Sequence, residues 1–352
     1  MGGGTLGHIY PVLPVVSKLK ARDPKLLVYF IGTKTGLERE FLNKSEFFAG
    51  TYFLDSKGFK RKISFENLLT LYKYFRNYFL SRKLLKEIKP DIVVGMGGYV
   101  SGAVLKAATK MKIRTAIHEQ NAVYGLANKF LKKKVDRVLL AFDIEKNEKT
   151  RLVGNPRTSE IYERYKREQS LTPERTVLVV GGSRGAERIN DIIIALKEEF
   201  LKANIKVILI TGNLYYRKNI EKINQSKGPK FIIKSFVRNL PELMLSARVV
   251  VTRSGATTLA EIMALRKVCL LIPSPNVTAN HQEKNALEIV KKEGALMIRE
   301  SEMTKDSLFT KILQLLDDKD LRRKIITNLT LIADVDACDK FIKELDEMMA
   351  IG

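Results

Sequence analysis

The sequence predicts an α/β protein made of two doubly wound domains, each built on a parallel sheet. Short apolar runs alternate with longer amphipathic stretches, as in strands joined by crossover helices. Glycine-rich turns follow several of these runs and begin the next helical stretch. The chain has 352 residues, more than one core usually holds, and a polar segment with two prolines, residues 151–175, divides the runs into two sets.

Four apolar runs in each half are candidate strands. In the first half they are residues 26–31, 91–96, 114–118 and 137–141. In the second half they are residues 176–181, 206–211, 248–252 and 268–273. We place the domains at residues 1–155 and 156–334. The last stretch, residues 335–352, has helical periodicity and could pack on either domain.

The start of the chain departs from this pattern. Gly2, Gly3 and Gly4 begin a glycine turn that leads into a helix, yet no strand precedes them. A doubly wound domain places such a turn after its first, central strand. We therefore expect the first strand of the first domain to be missing from this chain.

Positive charge is concentrated in the first half. The chain carries 62 Lys and Arg against 39 Asp and Glu, and residues 1–157 hold 30 of the basic and 13 of the acidic residues. This imbalance suggests that the first domain meets an anionic partner, either nucleic acid, anionic lipid or phosphates. The two cysteines, Cys269 and Cys338, have no ligand-like spacing and are interpreted as reduced structural thiols.

The densest basic segment is residues 56–89, with ten basic and two acidic residues. Aromatic and aliphatic residues recur in it at helical spacing from Phe65 to Phe79, with Lys73, Arg76, Arg82 and Lys83 among or beside them. Three interpretations remain open. The segment could be a core helix with a basic solvent face, a surface that enters an anionic membrane, or an RNA-binding surface.

Four glycine-rich turns carry the strongest functional signal, at residues 2–8, 95–103, 180–190 and 252–262. Glycine lets a ligand approach the N-terminus of the following helix, where free N–H groups and the helix dipole favour phosphate. Neither the Walker spacing, GxxxxGK followed by Ser or Thr, nor the dinucleotide spacing GxGxxG occurs. Two turns in each half predict a ligand with phosphate groups and argue against a Walker-type NTPase.

Few side chains offer acid–base chemistry near these turns. The three histidines are His8, His118 and His281, and His8 ends the first glycine turn, at the sheet edge where ligands bind in such folds. Its imidazole can take a proton from a hydroxyl near pH 7. Glu261, on the helix that follows Gly255, could accept hydrogen bonds from a ribose. The histidines are too scattered for a zinc site, so no metal is expected.

Seven segments together resemble a known family. GGGTLGHIYP, GMGGYVSGA, HEQNAVYGLANK, VGNPR, VVGGSRGA, TRSGATTLAEI and NHQEKNA occur in this order over residues 2–286. They are similar to the MurG family of bacterial peptidoglycan enzymes. The resemblance implies a GT-B fold, with two Rossmann-like domains and a C-terminal helix that returns to the first.

It also implies an inverting hexosyltransferase. The reaction would move N-acetylglucosamine from UDP-GlcNAc to the C4 hydroxyl of the muramyl sugar of undecaprenyl-linked lipid I, giving lipid II. No cofactor is implied. The enzyme would work at the cytoplasmic face of the cell membrane as a peripheral protein, and the basic first domain would bind that anionic surface.

The resemblance assigns roles residue by residue. His8 would be the general base, and Gly98, Tyr99 and Ser101 would line the acceptor diphosphate site. The donor UDP-GlcNAc would be bound by residues of both domains, namely Thr5, Leu6, Gly7, Asn121, Arg157, Ser183, Val237, Ala256, Thr257, Thr258, Leu259, Ala260, Glu261 and Gln282.

Two other functions are weighed. Another GT-B lipid glycosyltransferase, such as one acting on diacylglycerol, would share the second-domain motifs, but HEQNA and GGYVSGA in the first domain argue against it. A basic nucleic-acid-binding protein is less consistent with four phosphate-type turns and His8. Nucleic acid is therefore not expected as a partner.

Overall fold

The computed structural model describes residues 1–2, 6–35, 47–56, 58, 65–168, 174–181 and 186–350, without the side chains of Leu6 and Glu66. It divides the chain into two units. The first comprises Met1–Glu160 with Asp334–Gly352, and the second comprises Ile161–Ala333. Every strand pair within the named sheets is parallel. The predicted fold class, α/β with two parallel-sheet domains, is confirmed.

The first unit begins with a 3-10 turn at Leu6–His8. Its further elements are α1 (Val12–Arg22), β1 (Tyr29–Thr33), β2 (Gly50–Leu54), α2 (Phe65–Ile88), β3 (Ile92–Gly95), α3 (Tyr99–Lys110), β4 (Arg114–Glu119), α4 (Leu126–Leu131), β5 (Arg137–Leu140), β6 (Thr150–Leu152) and α5 (Pro156–Tyr165), which crosses into the second unit. The strands form one sheet in the order β3-β4-β5-β6 and a separate pair, β1-β2.

The second unit follows with β7 (Thr176–Val180), α6 (Glu187–Ala195), α7 (Lys197–Lys202), β8 (Lys206–Ile210), α8 (Asn213–Lys218), α9 (Ile220–Ser226), β9 (Phe231–Lys234), α10 (Leu240–Ser246), β10 (Val249–Thr252), α11 (Ala256–Leu265), β11 (Cys269–Leu271), α12 (His281–Val290), β12 (Leu296–Met297), α13 (Lys305–Asp317) and α14 (Lys319–Ile332). Its six strands have the order β12-β11-β10-β7-β8-β9. This is the doubly wound arrangement, in which the strand order reverses between β7 and β10.

The last helix, α15 (Ala337–Ala350), belongs to the first unit. Its apolar face is buried against α1 and β5, where Phe341 and Leu345 join a core with Val15 and Leu139. The backbone N–H of Cys338 donates to Ser159 Oγ at 2.9 Å. Both cysteines are buried and free, as the structural-thiol interpretation predicts.

All eight predicted strands are present, and four short strands were missed. The first prediction, residues 26–31, is displaced, since β1 covers Tyr29–Thr33. The missed strands β2, β6, β9 and β12 have two to five residues each. Each of them pairs with a single neighbour. Edge strands of this kind bury less apolar surface, so their apolar pattern is weak.

Candidate active site

His8 is packed against a glycine turn of the same unit. A Cβ atom built on Gly97 would lie 2.8 Å from His8 Cδ2 and 2.9 Å from His8 Nε2, closer than real Cβ contacts. Gly97 and Gly98 both have positive φ, at 99° and 84°. The backbone therefore needs glycine at both positions, and their missing side chains leave the space that the imidazole occupies.

The same turn opens α3, whose first residue is Tyr99. The Tyr99 side chain is 46% exposed, whereas Ser101 is fully buried. The Ser101 hydroxyl donates to the Gly97 carbonyl at 2.7 Å. Ser101 therefore fixes the shape of the turn from below, while the free end of α3 and Tyr99 are the parts that a ligand can reach. A helix N-terminus of this kind favours anions.

The loop after β4 is organised by Glu119. Its Oε1 accepts from the backbone N–H and the side-chain amide of Asn121, both at 3.1 Å. Its Oε2 accepts from the Gly125 N–H at 2.8 Å and from Asn128 Nδ2 at 2.9 Å. Sequence reasoning assigned a role to Asn121 and missed Glu119, although the acidic residue in HEQNA ends an apolar strand. Glu119 is the residue that holds Asn121 in place.

His118 has a structural environment. The ring is fully buried, its Nε2 lies 3.0 Å from the Gly154 carbonyl, and it packs edge-on against Phe341. Burial lowers the pKa of His118 to about 4, because the charged form would be desolvated. The imidazole is therefore neutral at physiological pH.

The second unit brings two glycine turns together. Val180 at the end of β7 is paired with Thr252 at the end of β10, and these strands flank the point where the sheet order reverses. Gly181 follows β7 and Gly255 begins α11. A Cβ built on Gly255 would meet no atom within 4 Å, so the space before α11 is open. In doubly wound sheets this crevice is where ligands bind.

Along α11, Ala256, Thr257 and Thr258 are half-buried and form the first turn. Leu259 and Ala260 are fully buried and anchor the helix in the core. Glu261 is only 5% exposed, so it is not the solvated helical glutamate that a surface position would give. A carboxylate this deeply placed is held by polar partners.

Gln282 is fixed beside this helix by three hydrogen bonds. Ser254 Oγ donates to the Gln282 carbonyl at 2.7 Å, and the Ser274 N–H donates to Gln282 Oε1 at 2.9 Å. Asn285 Nδ2 donates to the Ser254 carbonyl at 3.2 Å. The residues before Gln282 include Ala279 and Asn280, both with positive φ. Such strain is kept where surrounding contacts enforce it, which is common at binding sites.

Arg253 adds a second support that sequence reasoning missed. Its guanidinium donates to the Ile272 and Pro273 carbonyls at 3.1 and 3.2 Å and forms an ion pair with Glu300. These bonds tie the end of β10 to the strand beside it. The signal available in the sequence was the arginine in TRSGAT, directly before the glycine turn.

Two other predicted donor residues have different environments. Arg157, in the first unit, pairs with Glu160 at 2.8 Å and lies over the Tyr10 ring at 4.9 Å from its centroid. Val237, in the loop between β9 and α10, is half-buried beside the exposed Phe236. Gly7 lies in the 3-10 turn that ends at His8. Thr5, Ser183 and the side chain of Leu6 lie outside the described residues.

The outer face of α2 has an unusual composition. Tyr72 and Phe79 are 64% and 63% exposed, while Asn77 and Ser81 on the opposite face are 2% and 0% exposed. The exposed apolar residues follow helical spacing, namely Phe65, Leu68, Leu69, Tyr72, Phe75 and Phe79. The interpretation of this stripe as a core face is therefore wrong. We call these six residues, with the exposed Arg76, Arg82, Lys83 and Lys86, the α2 face.

Two features often sought in such proteins do not occur in the part of the chain that the structure describes. No group of three or more His, Cys, Asp or Glu residues there could hold a metal ion. No helix in the same part is both long and apolar enough to cross a membrane.

Both halves of the chain match models of one protein family. Residues 1–140 match the glycosyltransferase family 28 N-terminal domain, and residues 176–336 match its C-terminal domain. A solved structure described as MurG from Acinetobacter baumannii superposes with a TM-score of 0.77 over 99% of this chain and 98% of that one, at 23% identity. That likeness concerns the fold.

Curated relatives are closer in sequence. A protein of Bacillus cereus is 40% identical over 99% of this chain and 98% of its own length. One of Halalkalibacterium halodurans is 43% identical over 88% of each chain. Both are named UDP-N-acetylglucosamine–N-acetylmuramyl-(pentapeptide) pyrophosphoryl-undecaprenol N-acetylglucosamine transferase, the former with the number 1.

Proposed function

The chain belongs to the MurG family of glycosyltransferase family 28, and we propose from this that it transfers N-acetylglucosamine from UDP-GlcNAc to lipid I. The acceptor atom is the C4 hydroxyl oxygen of the muramyl sugar on undecaprenyl diphosphate, and the product is lipid II. The second unit binds the donor. The first unit binds the acceptor and the membrane.

The observation that carries the donor half is the meeting of two glycine turns at the reversal of the second sheet. The N-terminus of α11 directs free N–H groups and the positive end of its dipole into that crevice. These groups suit the diphosphate of UDP, and they act more strongly on the departing nucleotide, whose charge grows in the transition state. Glu261 accepts the ribose hydroxyls and Gln282 contacts the transferred sugar.

The bond changes are a single displacement. The bond between C1 of the sugar and the β-phosphate oxygen breaks, and a bond from C1 to the acceptor O4 forms on the opposite face. The acceptor proton passes to the His8 imidazole, and UDP leaves with the electron pair of the broken bond. Attack from the opposite face inverts the configuration at C1 and gives a β1,4 linkage.

His8 suits the role of base because its position is fixed. The imidazole packs on Gly97, next to the free end of α3. An acceptor diphosphate at that helix end would bring the muramyl sugar to the same edge of the first sheet. His8→Ala should lower kcat by roughly 100-fold or more, the usual size of a general-base contribution, while UDP affinity stays unchanged.

The α2 face supports docking to a membrane. Its apolar side chains are solvent-exposed and its basic ones are placed to meet anionic headgroups. A membrane that carries the acceptor would thereby hold the first unit against it. We propose a peripheral enzyme on the cytoplasmic face of the bacterial membrane.

Acceptor choice tests the proposal. The purified chain is incubated with UDP-GlcNAc and, separately, a soluble lipid I analogue, diacylglycerol or no acceptor, and UDP release is measured. We expect release above background only with the lipid I analogue, and we expect it to persist in EDTA because helix N-termini bind the diphosphate. Equal release with diacylglycerol would replace the assignment with a diacylglycerol glycosyltransferase. Nanomolar, salt-dependent RNA binding without release would favour a nucleic-acid-binding protein.

A further inference from the structure

The first unit contains an apolar channel between two strands that are not paired with each other. It has a volume of about 210 Å³ and lies between β1 and β3. One wall is formed by α1 and α15, with Val15, Leu19 and Phe341, and the opposite wall by Leu85 and Ile88 of α2. An apolar cavity of this size is expected to be free of water and able to hold an apolar guest.

The end of the channel already has strand geometry. The Met1 amino group donates to the Val94 carbonyl at 2.9 Å, and the Met96 N–H donates to the Met1 carbonyl at 2.8 Å. On the other side, the Gly2 N–H donates to the Ile31 carbonyl at 3.3 Å. This is the pattern of a parallel strand between two neighbours, represented by its last two residues.

Backbone alternation extends the pattern along the channel. Within a strand, successive residues direct their N–H and C=O groups to opposite sides. Since Ile31 and Val94 face Met1 and Gly2, the residues two positions earlier, Tyr29 and Ile92, face the same channel. The channel is thus bordered on both sides by backbone groups at the spacing that a further parallel strand would need.

The second unit shows what such a position holds. There, β7 lies between β8 and β10, and all five of its residues, TVLVV, are buried. In the first unit, the channel lies between β1 and β3, with β2 outside β1 and β4 outside β3. The channel therefore occupies the place of β7. A strand covered on both faces is a continuous apolar run.

We propose that this channel is a docking site for an extended apolar peptide of four to five residues, which pairs in parallel with β1 and β3 and runs into Met1. Its side chains alternate between the two apolar walls, so apolar residues are needed at every position. The buried Met1 amino group agrees with this, because burial lowers its pKa to about 5, whereas a peptide N–H at the same place would be neutral.

The test adds the segment to the chain itself. One variant carries Val-Val-Ile-Val directly before Met1, behind a Met-Lys leader, and a matched variant carries Gly-Ser-Gly-Ser behind the same leader. Amide hydrogen exchange is measured at Ile31 and Val94, together with the thermal unfolding midpoint. We expect the apolar extension to slow exchange at both amides by roughly tenfold or more and to raise Tm by roughly 5 °C, and the Gly-Ser extension to do neither.

A second arm avoids changing the chain. The unmodified protein is titrated with the amidated peptide acetyl-Lys-Val-Val-Ile-Val and with its Gly-Ser counterpart, and the same amides are followed. Saturable protection by the apolar peptide alone supports the proposal. Equal effects of both sequences in both arms would overturn it. Protection by a C12 fatty acid but not by either apolar segment would also overturn it and would identify the channel as a site for acyl chains. Neither result bears on glycosyl transfer, because UDP release is not measured.

Discussion

The imidazole of His8 lies directly on the backbone of Gly97. The distance from His8 Nε2 to a Cβ at Gly97 would be 2.9 Å, so the ring occupies the place of a side chain that glycine lacks. The Ser101 hydroxyl holds the same turn through the Gly97 carbonyl. The proposed base and the open end of α3 therefore form one packed group, in which a change at the turn moves the base.

Gly97→Ala tests this coupling. The new methyl group would displace the ring, and the φ of 99° disfavours any residue with a Cβ, at a cost of roughly 1–3 kcal/mol. We expect kcat to fall by roughly 100-fold with UDP binding unchanged, as measured by steady-state kinetics and calorimetry. Gly228→Ala, where a Cβ meets no atom within 4 Å, is the matched control and should retain wild-type turnover.

Ser254→Ala tests the support of Gln282 in the second unit. The change removes the 2.7 Å bond to the Gln282 carbonyl and leaves that buried acceptor without this donor, a loss of about 1–2 kcal/mol. We expect weaker binding of UDP-GlcNAc by roughly tenfold and little change in UDP binding, since Gln282 is assigned to the sugar. Ser246→Ala removes an exposed serine that bonds only within its own helix and should leave both affinities unaltered. Equal weakening of UDP and UDP-GlcNAc would show that Ser254 acts on the nucleotide.

The α2 face makes a prediction about membranes. Phe75→Ser with Phe79→Ser removes exposed aromatic surface, and Arg76→Glu with Arg82→Glu reverses exposed charge. Each pair should weaken binding to phosphatidylglycerol vesicles by roughly tenfold or more, and UDP binding should not change. Lys73 is left unchanged because it pairs with Asp55 at 2.7 Å. Leu331→Ser, at a 78% exposed leucine of the second unit, is the control and should bind vesicles like the wild type.

His118 predicts an acid-sensitive first unit. Its pKa is about 4 in the folded chain and 6.5 when unperturbed, so between these values the unfolded state binds the extra proton. Stability should therefore fall as pH decreases from 6.5 to 4, by up to roughly 3 kcal/mol. Urea unfolding at pH 7.5, 6 and 5 measures this loss. His118→Gln, which does not titrate in this range, should show a smaller loss, and identical slopes in both proteins would contradict the assignment.

The sequence was informative where burial is complete. All eight strands predicted from apolar runs exist, and the glycine turns at Gly97 and Gly255 precede helices as their spacing predicts. The sheet edges were missed because short strands such as β12 bury little apolar surface. The exposure of Tyr72 and Phe79 could not be predicted either, since periodicity shows that residues share a face but not what the face contacts.

The supporting contacts of the site were also beyond the sequence. Residues named from motifs, such as Asn121 and Gln282, are held by Glu119 and Ser254, and those bonds depend on how strand ends and loops meet in three dimensions. Glu119 lies in the motif that named Asn121, yet nothing in its spacing shows that one carboxylate receives donors from three residues along the loop.

The most direct test of the proposed function is the structure of the product. The chain is incubated with UDP-GlcNAc and a soluble lipid I analogue, and the product is isolated for mass spectrometry and NMR. We predict one added N-acetylglucosamine per acceptor, joined β1,4 to the muramyl sugar, with one UDP released for each bond formed. An α linkage, attachment at another hydroxyl, or UDP release with an unmodified acceptor would contradict the account.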